Sequence, residues 1–190
     1  YQLGSNPLSL DWDEASLGYN AYSILLSGRD EYGSFLPLSF RSFSDYKPPL
    51  YTYLTVLPVL LFGLTEFSVR FTSALFGTIA VIASYFLVQQ FFSSRKLSLV
   101  SAFFLGVSPW HLQFSRTAFE ANVALTLIIL AVLFFQLGIN NHKYLIFSAI
   151  VFGFSLFAYH SPRLLVPVFI SGLTVLNYSR LQLGLKKLII

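Results

Sequence analysis

Three groups of residues in this chain have the types and spacing to do chemistry. The first is the pair Asp13-Glu14, at the head of the segment EASLGYNAYSILLS. A carboxylate at the start of a membrane-surface helix can take a proton from an attacking hydroxyl as a general base, and the helix N-terminus favours its ionised form. Acids at helix starts are also ordinary caps, and local composition alone favours that plainer reading. The second group is Asp45-Tyr46-Lys47-Pro48-Pro49. Lys47 stands where an outer loop meets the bilayer, a position suited to a lipid phosphate. The prolines fix the entry into the next helix and remove N–H donors that would need partners. A juxtamembrane anchor explains the same lysine equally well. The third group is Arg70, Arg116 with Glu120, and Arg163. Arginine's planar fork suits phosphate, and ionisable groups at span ends often mark substrate sites. Arg116 and Glu120 are four apart, so on one helix they could simply pair with each other.

Other chemistries find less support. His111 and His160 are isolated in sequence; a divalent metal held by Asp45 and His160 is conceivable, but no ligand spacing supports it. No required cofactor is legible. There are no cysteines, hence no thiolate chemistry. Neither a phosphate-binding glycine loop nor a nucleophile elbow is present. The net charge of +4 is spread over short loops with no basic stripe, which argues against nucleic acid.

The elements that must position these groups are membrane helices. Residues are 55% hydrophobic and only 11% charged, far from the balance of a soluble domain. Five stretches carry no charge: roughly 71–92, 97–115, 121–141, 144–161 and 164–179. About 20 apolar residues span a bilayer. The joints alternate between purely basic (Arg95 and Lys96; Lys143; Arg180, Lys186 and Lys187) and mixed (Glu66 and Arg70; Arg116 and Glu120; Arg163). Basic short loops stay cytoplasmic, so all the carboxylates are expected on the other face, and the chemistry with them. Residues 48–64 are apolar but short, with Pro58 inside. If they spanned, the purely basic joints would move outside, so an interfacial helix is preferred. Glu14–Ser27 reads as a second surface helix, capped by Asp11 or Asp13 and stopped at Gly28. The expected organisation is an extracytoplasmic first loop with two interfacial helices over 1–66, then about five transmembrane helices over 67–190. The chain has no methionine and starts at Tyr1, which reads as a fragment of a longer protein.

The succession DWDEASLGYNAYSILLSGRDEYG, SDYKPPLYTYLTVLPVLLFGLTEFSVRFTSALFG and SPWHLQFSRTAFEAN resembles the dolichyl-phosphate-mannose-type protein mannosyltransferases. These are GT-C membrane glycosyltransferases, here of the bacterial or archaeal kind, and the resemblance covers roughly residues 10–160. It implies an all-α integral membrane fold, a GT-C-type transmembrane helix bundle, with its site on the extracytoplasmic face of the plasma membrane. The donor would be a polyprenyl-phosphate-linked sugar; protein, lipid headgroup and glycan acceptors stay open. In that family the first outer loop carries the catalytic Asp of an Asp-Glu pair, which matches Asp13 and Glu14. The acidic-Lys-Pro element before the second surface helix resembles Asp45, Lys47 and Pro48, with Tyr46 interposed here. The arginine-plus-acid element resembles Arg116 and Glu120, where relatives often have Asp. AYHSPRLLVP resembles a region near the donor, with Arg163 as a phosphate contact.

The resemblance implies inverting single displacement. Asp13 would deprotonate the acceptor hydroxyl, Glu14 would orient the acceptor or the Asp, and Lys47, Arg116 and Arg163, with Arg70 nearby, would bind or stabilise the leaving phosphate. Two other classes compete. A transporter or flippase of a phosphate-bearing lipid would place charges and broken helices at the midplane. A structural membrane subunit would not require arginines beside carboxylates on one face.

Overall fold

A computed structural model of the chain describes residues 2–42 and 45–180. Lys186 and Lys187, counted above among the basic joints, lie outside the described residues. The architecture is helical: α1 (Trp12–Ser27), α2 (Leu50–Phe62), α3 (Glu66–Phe92), α4 (Arg95–Val107), α5 (Pro109–Arg116), α6 (Glu120–Asn140), α7 (Lys143–Leu156) and α8 (Pro162–Leu176). The sequence reading placed no strand between α1 and α2. The structure puts there a small antiparallel hairpin of β1 (Phe40–Ser42) and β2 (Asp45–Lys47), with Phe40 opposite Lys47. Its signal is the alternation that buries Phe40, Ser42 and Lys47 while Arg41 and Tyr46 face out.

Local sequence sets the helix ends. Asp11 caps α1 and Glu14 reaches back to the Asp11 N–H, a capping box; Gly28 closes the helix in the left-handed region at φ 67°. Thr65 and Ser68 make the same box for α3. Pro109 disfavours a helical Ser108, and Ser108 is extended there. The expected single span over 97–115 is therefore two helices, α4 and α5, bent by 58°.

Length decides which helices can cross. At 1.5 Å per residue, α3 (27 residues) and α6 (21 residues) reach roughly 40 Å and 32 Å, enough for a hydrocarbon core of about 30 Å. The bent pair α4–α5 counts as a third span if taken as one. The two further spans expected at 144–161 and 164–179 are shorter helices of 14 and 15 residues, α7 and α8. In α7 the helix stops at Leu156, because residues 157–161 turn toward α2: the Leu50 N–H donates to the Phe157 carbonyl at 3.1 Å. The 13 residues of α2 span only about 20 Å.

One core joins the first loop to the membrane helices. Leu17 of α1, Tyr51 of α2, Val69 of α3 and Val123, Ala124 and Leu127 of α6 pack together, with Ala118 and Ala158 from the connecting loops. Hydroxyls and amides tie the helices where water is absent. Asn122 Nδ2 donates to the Ser73 carbonyl (2.8 Å), Ser73 Oγ to the Phe114 carbonyl (2.7 Å) and Ser148 Oγ to the Ala131 carbonyl (2.8 Å). Following the chain, Glu66, Arg116, Glu120 and Arg163 come to the same end as α1, while Arg95, Lys96 and Lys143 start helices at the other end.

Candidate active site

The site is organised by one buried carboxylate. Glu14 is 4% exposed and lies in the first turn of α1. Its Oε1 accepts from Arg70 Nε at 2.9 Å and from the Ala118 N–H at 2.8 Å; its Oε2 accepts from Arg70 Nη2 at 3.0 Å and from the Asp11 N–H at 3.1 Å. Burial alone pushes this carboxyl up, yet the hydrogen bonds from Arg70, Ala118 and Asp11, with the guanidinium charge, bring it below the ordinary glutamate value of 4.5. Glu14 thus pins the head of α1 to α3 and to the loop before α6.

Arg70 is fully buried at 0% exposure. Beyond Glu14 it donates from Nη1 to the carbonyls of Leu3 (3.0 Å) and Pro7 (2.9 Å), and from Nη2 to that of Ser9 (2.8 Å). All five guanidinium hydrogens are satisfied within the protein. The substrate contact expected of Arg70 is therefore replaced by a clamp that gathers residues 3–14 onto α3. Each Glu14 oxygen likewise accepts two hydrogen bonds from within the protein.

The clamp presents Asp13, the adjacent residue, at the surface. Lys47, delivered by β2, donates to Asp13 Oδ1 at 2.6 Å and, at 3.5 Å, to the Asp13 carbonyl. The lysine side chain is 10% exposed and the aspartate 44%. The ammonium has three hydrogens, so one stays available for an anion arriving beside Asp13. Glu120, buried at the start of α6, lies within electrostatic reach of Lys47 and Asp13.

Sequence reasoning placed several partners differently. Arg116 and Glu120 do not share a helix: α5 ends at Arg116 and residues 117–119 intervene before α6. Arg116 turns to the N-terminal segment, donating to the Asn6 carbonyl at 3.4 Å and lining a cleft with Gln2, Asn6, Pro7 and Gln113. Asp45 is exposed on β2, where its carboxylate accepts the neighbouring Tyr46 N–H at 2.7 Å. Among the described residues it forms no ion pair with Lys47. Arg163 is exposed at the start of α8, three residues after His160.

Among the described residues, no group of three or more His, Cys, Asp or Glu stands close enough to hold a metal ion. Asp45 and His160, the metal pair considered from sequence, belong to no such group. Nothing in the local sequence announces the turn that docks Phe157 on Leu50, just before His160. The role of the Ala118 N–H was also invisible, since a backbone donor leaves no mark on residue type.

A base-competent carboxylate, a lysine ammonium and a second acid, set at one end of a bundle of apolar helices, suit group transfer to a hydroxyl with an anionic leaving group. No curated protein matches the chain significantly, and no solved structure does. One family model does, over residues 46–188, and on that match the chain belongs to the dolichyl-phosphate-mannose-protein mannosyltransferase family.

Proposed function

We propose that the protein transfers a sugar, mannose-like, from a polyprenyl-phosphate donor to an acceptor hydroxyl at the extracytoplasmic face of the plasma membrane. The family makes it a membrane glycosyltransferase of the GT-C type. The family's name speaks of dolichyl-phosphate-mannose and of protein acceptors; a lipid-linked donor also fits the apolar helices around the site. The matched segment starts at Tyr46, so the part of Asp13 rests on geometry. The observation that carries the reading is the 2.6 Å contact between Asp13, outside the match, and Lys47, inside it.

In the step, the acceptor oxygen attacks the anomeric carbon from the face opposite the phosphate. The new C–O bond forms as the bond to the phosphate oxygen breaks, with inversion. Asp13 takes the hydroxyl proton, and the electron pair leaves with the polyprenyl phosphate. Lys47 stabilises the developing negative charge where water is scarce, with Arg163 at the start of α8 a further candidate. A transporter would concentrate its charges near the midplane; here the ion pairs lie at one end of the bundle.

The test is label transfer from radiolabelled polyprenyl-phosphate sugars in membranes, comparing wild type with Asp13→Asn at matched expression. General-base contributions run about 10²–10⁴-fold. Transfer retained within about tenfold in the variant would exclude Asp13 as the base. A wild type that releases sugar from no donor would favour the transporter reading.

A further inference from the structure

Besides the Asp13–Lys47 cluster, α1 carries a second constructed feature. Trp12, Ala15, Ser16 and Tyr19 recur at helical spacing along one face, and with Glu31 and Tyr32 of the following loop they enclose a cleft of about 330 Å³. That volume is at the small end of ligand pockets.

The loop that forms its far wall is fixed. The Asp30 N–H donates to the Ser34 carbonyl, and Asp30 Oδ1 accepts from the Tyr32 and Ser34 N–H groups at 3.0 and 2.7 Å. Asn20, 2% exposed, grips Glu31 reciprocally: its Nδ2 donates to Glu31 Oε1 at 3.0 Å while its Oδ1 accepts the Glu31 N–H at 3.1 Å. The Arg41 guanidinium lies 5.1 Å from the Tyr32 ring centre. A wall held this way is shaped before any ligand arrives, which lowers the ordering cost of binding.

The lining selects a ligand class. Trp12, Tyr19 and Tyr32 are 70%, 52% and 54% exposed, so aromatic ring surface lines the cleft. Between them stand the Ser16 hydroxyl and the Glu31 carboxylate, of which Oε1 is taken by Asn20. A pyranose ring offers an apolar C–H face for the rings and hydroxyls that can donate to the carboxylate. An acyl tail has no use for the carboxylate, and an anionic headgroup is repelled by it. The cleft also lies beside the base. Successive helical residues turn by about 100°, so Asp13 falls between the Trp12 face and the buried Leu17, Ala21 and Ile24 face.

We propose that this cleft is the acceptor subsite and that the acceptor is a carbohydrate chain, one sugar ring stacking on Trp12 and Tyr19 while a neighbouring hydroxyl reaches Asp13. The inference rests on the transferase reading and names its acceptor. The experiment uses the protein in membranes with a labelled polyprenyl-phosphate sugar and three acceptors: a mannose oligosaccharide, a Ser/Thr peptide and an ethanolamine lipid. Acceptor KM and kcat are compared for wild type, Trp12→Ala, Glu31→Gln and Leu26→Ala, the last a similar apolar loss on the same helix outside the cleft. Label is expected on the oligosaccharide, with its KM raised about tenfold in Trp12→Ala and Glu31→Gln and unchanged in Leu26→Ala. Label on the peptide or lipid instead overturns the proposal. Equal weakening by Leu26→Ala and Trp12→Ala also overturns it, since that marks a membrane anchor. If no donor is cleaved, it is the transferase reading that fails. Saturation-transfer NMR with the oligosaccharide then tests the cleft alone: a transfer signal present in wild type and absent in Trp12→Ala supports a sugar site, and no signal in wild type refutes it.

Discussion

Removing the Glu14 carboxylate should unfold the site from its centre. In Glu14→Ala four hydrogen bonds vanish at once, those from Arg70 Nε and Nη2, the Ala118 N–H and the Asp11 N–H. Arg70 keeps the carbonyls of Leu3, Pro7 and Ser9 but loses its counter-charge in a place closed to water. Stranding one member of a buried ion pair costs about 3–5 kcal/mol. For a chain of this size each kcal/mol moves the midpoint by roughly 2–4 °C, so Tm should fall by roughly 6–20 °C. Scanning fluorimetry of the detergent-solubilised protein measures it. Glu14→Gln should fall between, because an amide keeps one acceptor but must turn an NH₂ toward Arg70 or Asp11. The double variant Glu14→Ala/Arg70→Met should be more stable than the two single losses added together, since no stranded charge remains. A drop below about 3 °C in Glu14→Ala, or strict additivity in the double variant, would refute the clamp.

Three further outcomes follow from the same geometry. Lys47→Met should slow sugar transfer by about 10²–10³-fold, the usual loss for one donor to a developing oxyanion, with partial rescue by Lys47→Arg; initial rates check this, and a loss within about tenfold would remove Lys47 from the phosphate. Because the folded Glu14 carboxyl lies below its ordinary value of 4.5, its contribution to stability is fully present above that pH and fades as pH falls through the folded value; melting curves of wild type should therefore drop below about pH 4.5 more steeply than those of Glu14→Gln. At Gly77, an added Cβ would run into the Ser115 side chain, so Gly77→Ala should cost about 1–3 kcal/mol by overpacking, recovered in Gly77→Ala/Ser115→Gly if the clash is the cause.

Residue types and hydropathy were enough for the membrane class, for helices α1, α3 and α6, and for the gathering of acids at one end, because each depends on short-range pattern: apolar runs, caps such as Asp11 and Gly28, and the sign of loop charges. Asp13, Glu14, Lys47, Arg70 and Glu120 stand out in the sequence as groups able to do chemistry, but their hydrogen-bond partners do not. Arg70 and Glu14 look like substrate groups in sequence; only the fold reveals that every hydrogen of the guanidinium is engaged by Leu3, Pro7, Ser9 and Glu14. The i, i+4 spacing of Arg116 and Glu120 suggested a pair, yet the chain leaves the helix between them and sends them to different neighbours. The Ala118 N–H joins Glu14 from a loop, through a backbone donor that no residue pattern encodes. Local interactions are written along the chain. The partners of a buried charge are set by which segments pack around it, across separations of 34 residues for Lys47 and Asp13 and 56 for Arg70 and Glu14, and that packing is decided only when the helices close.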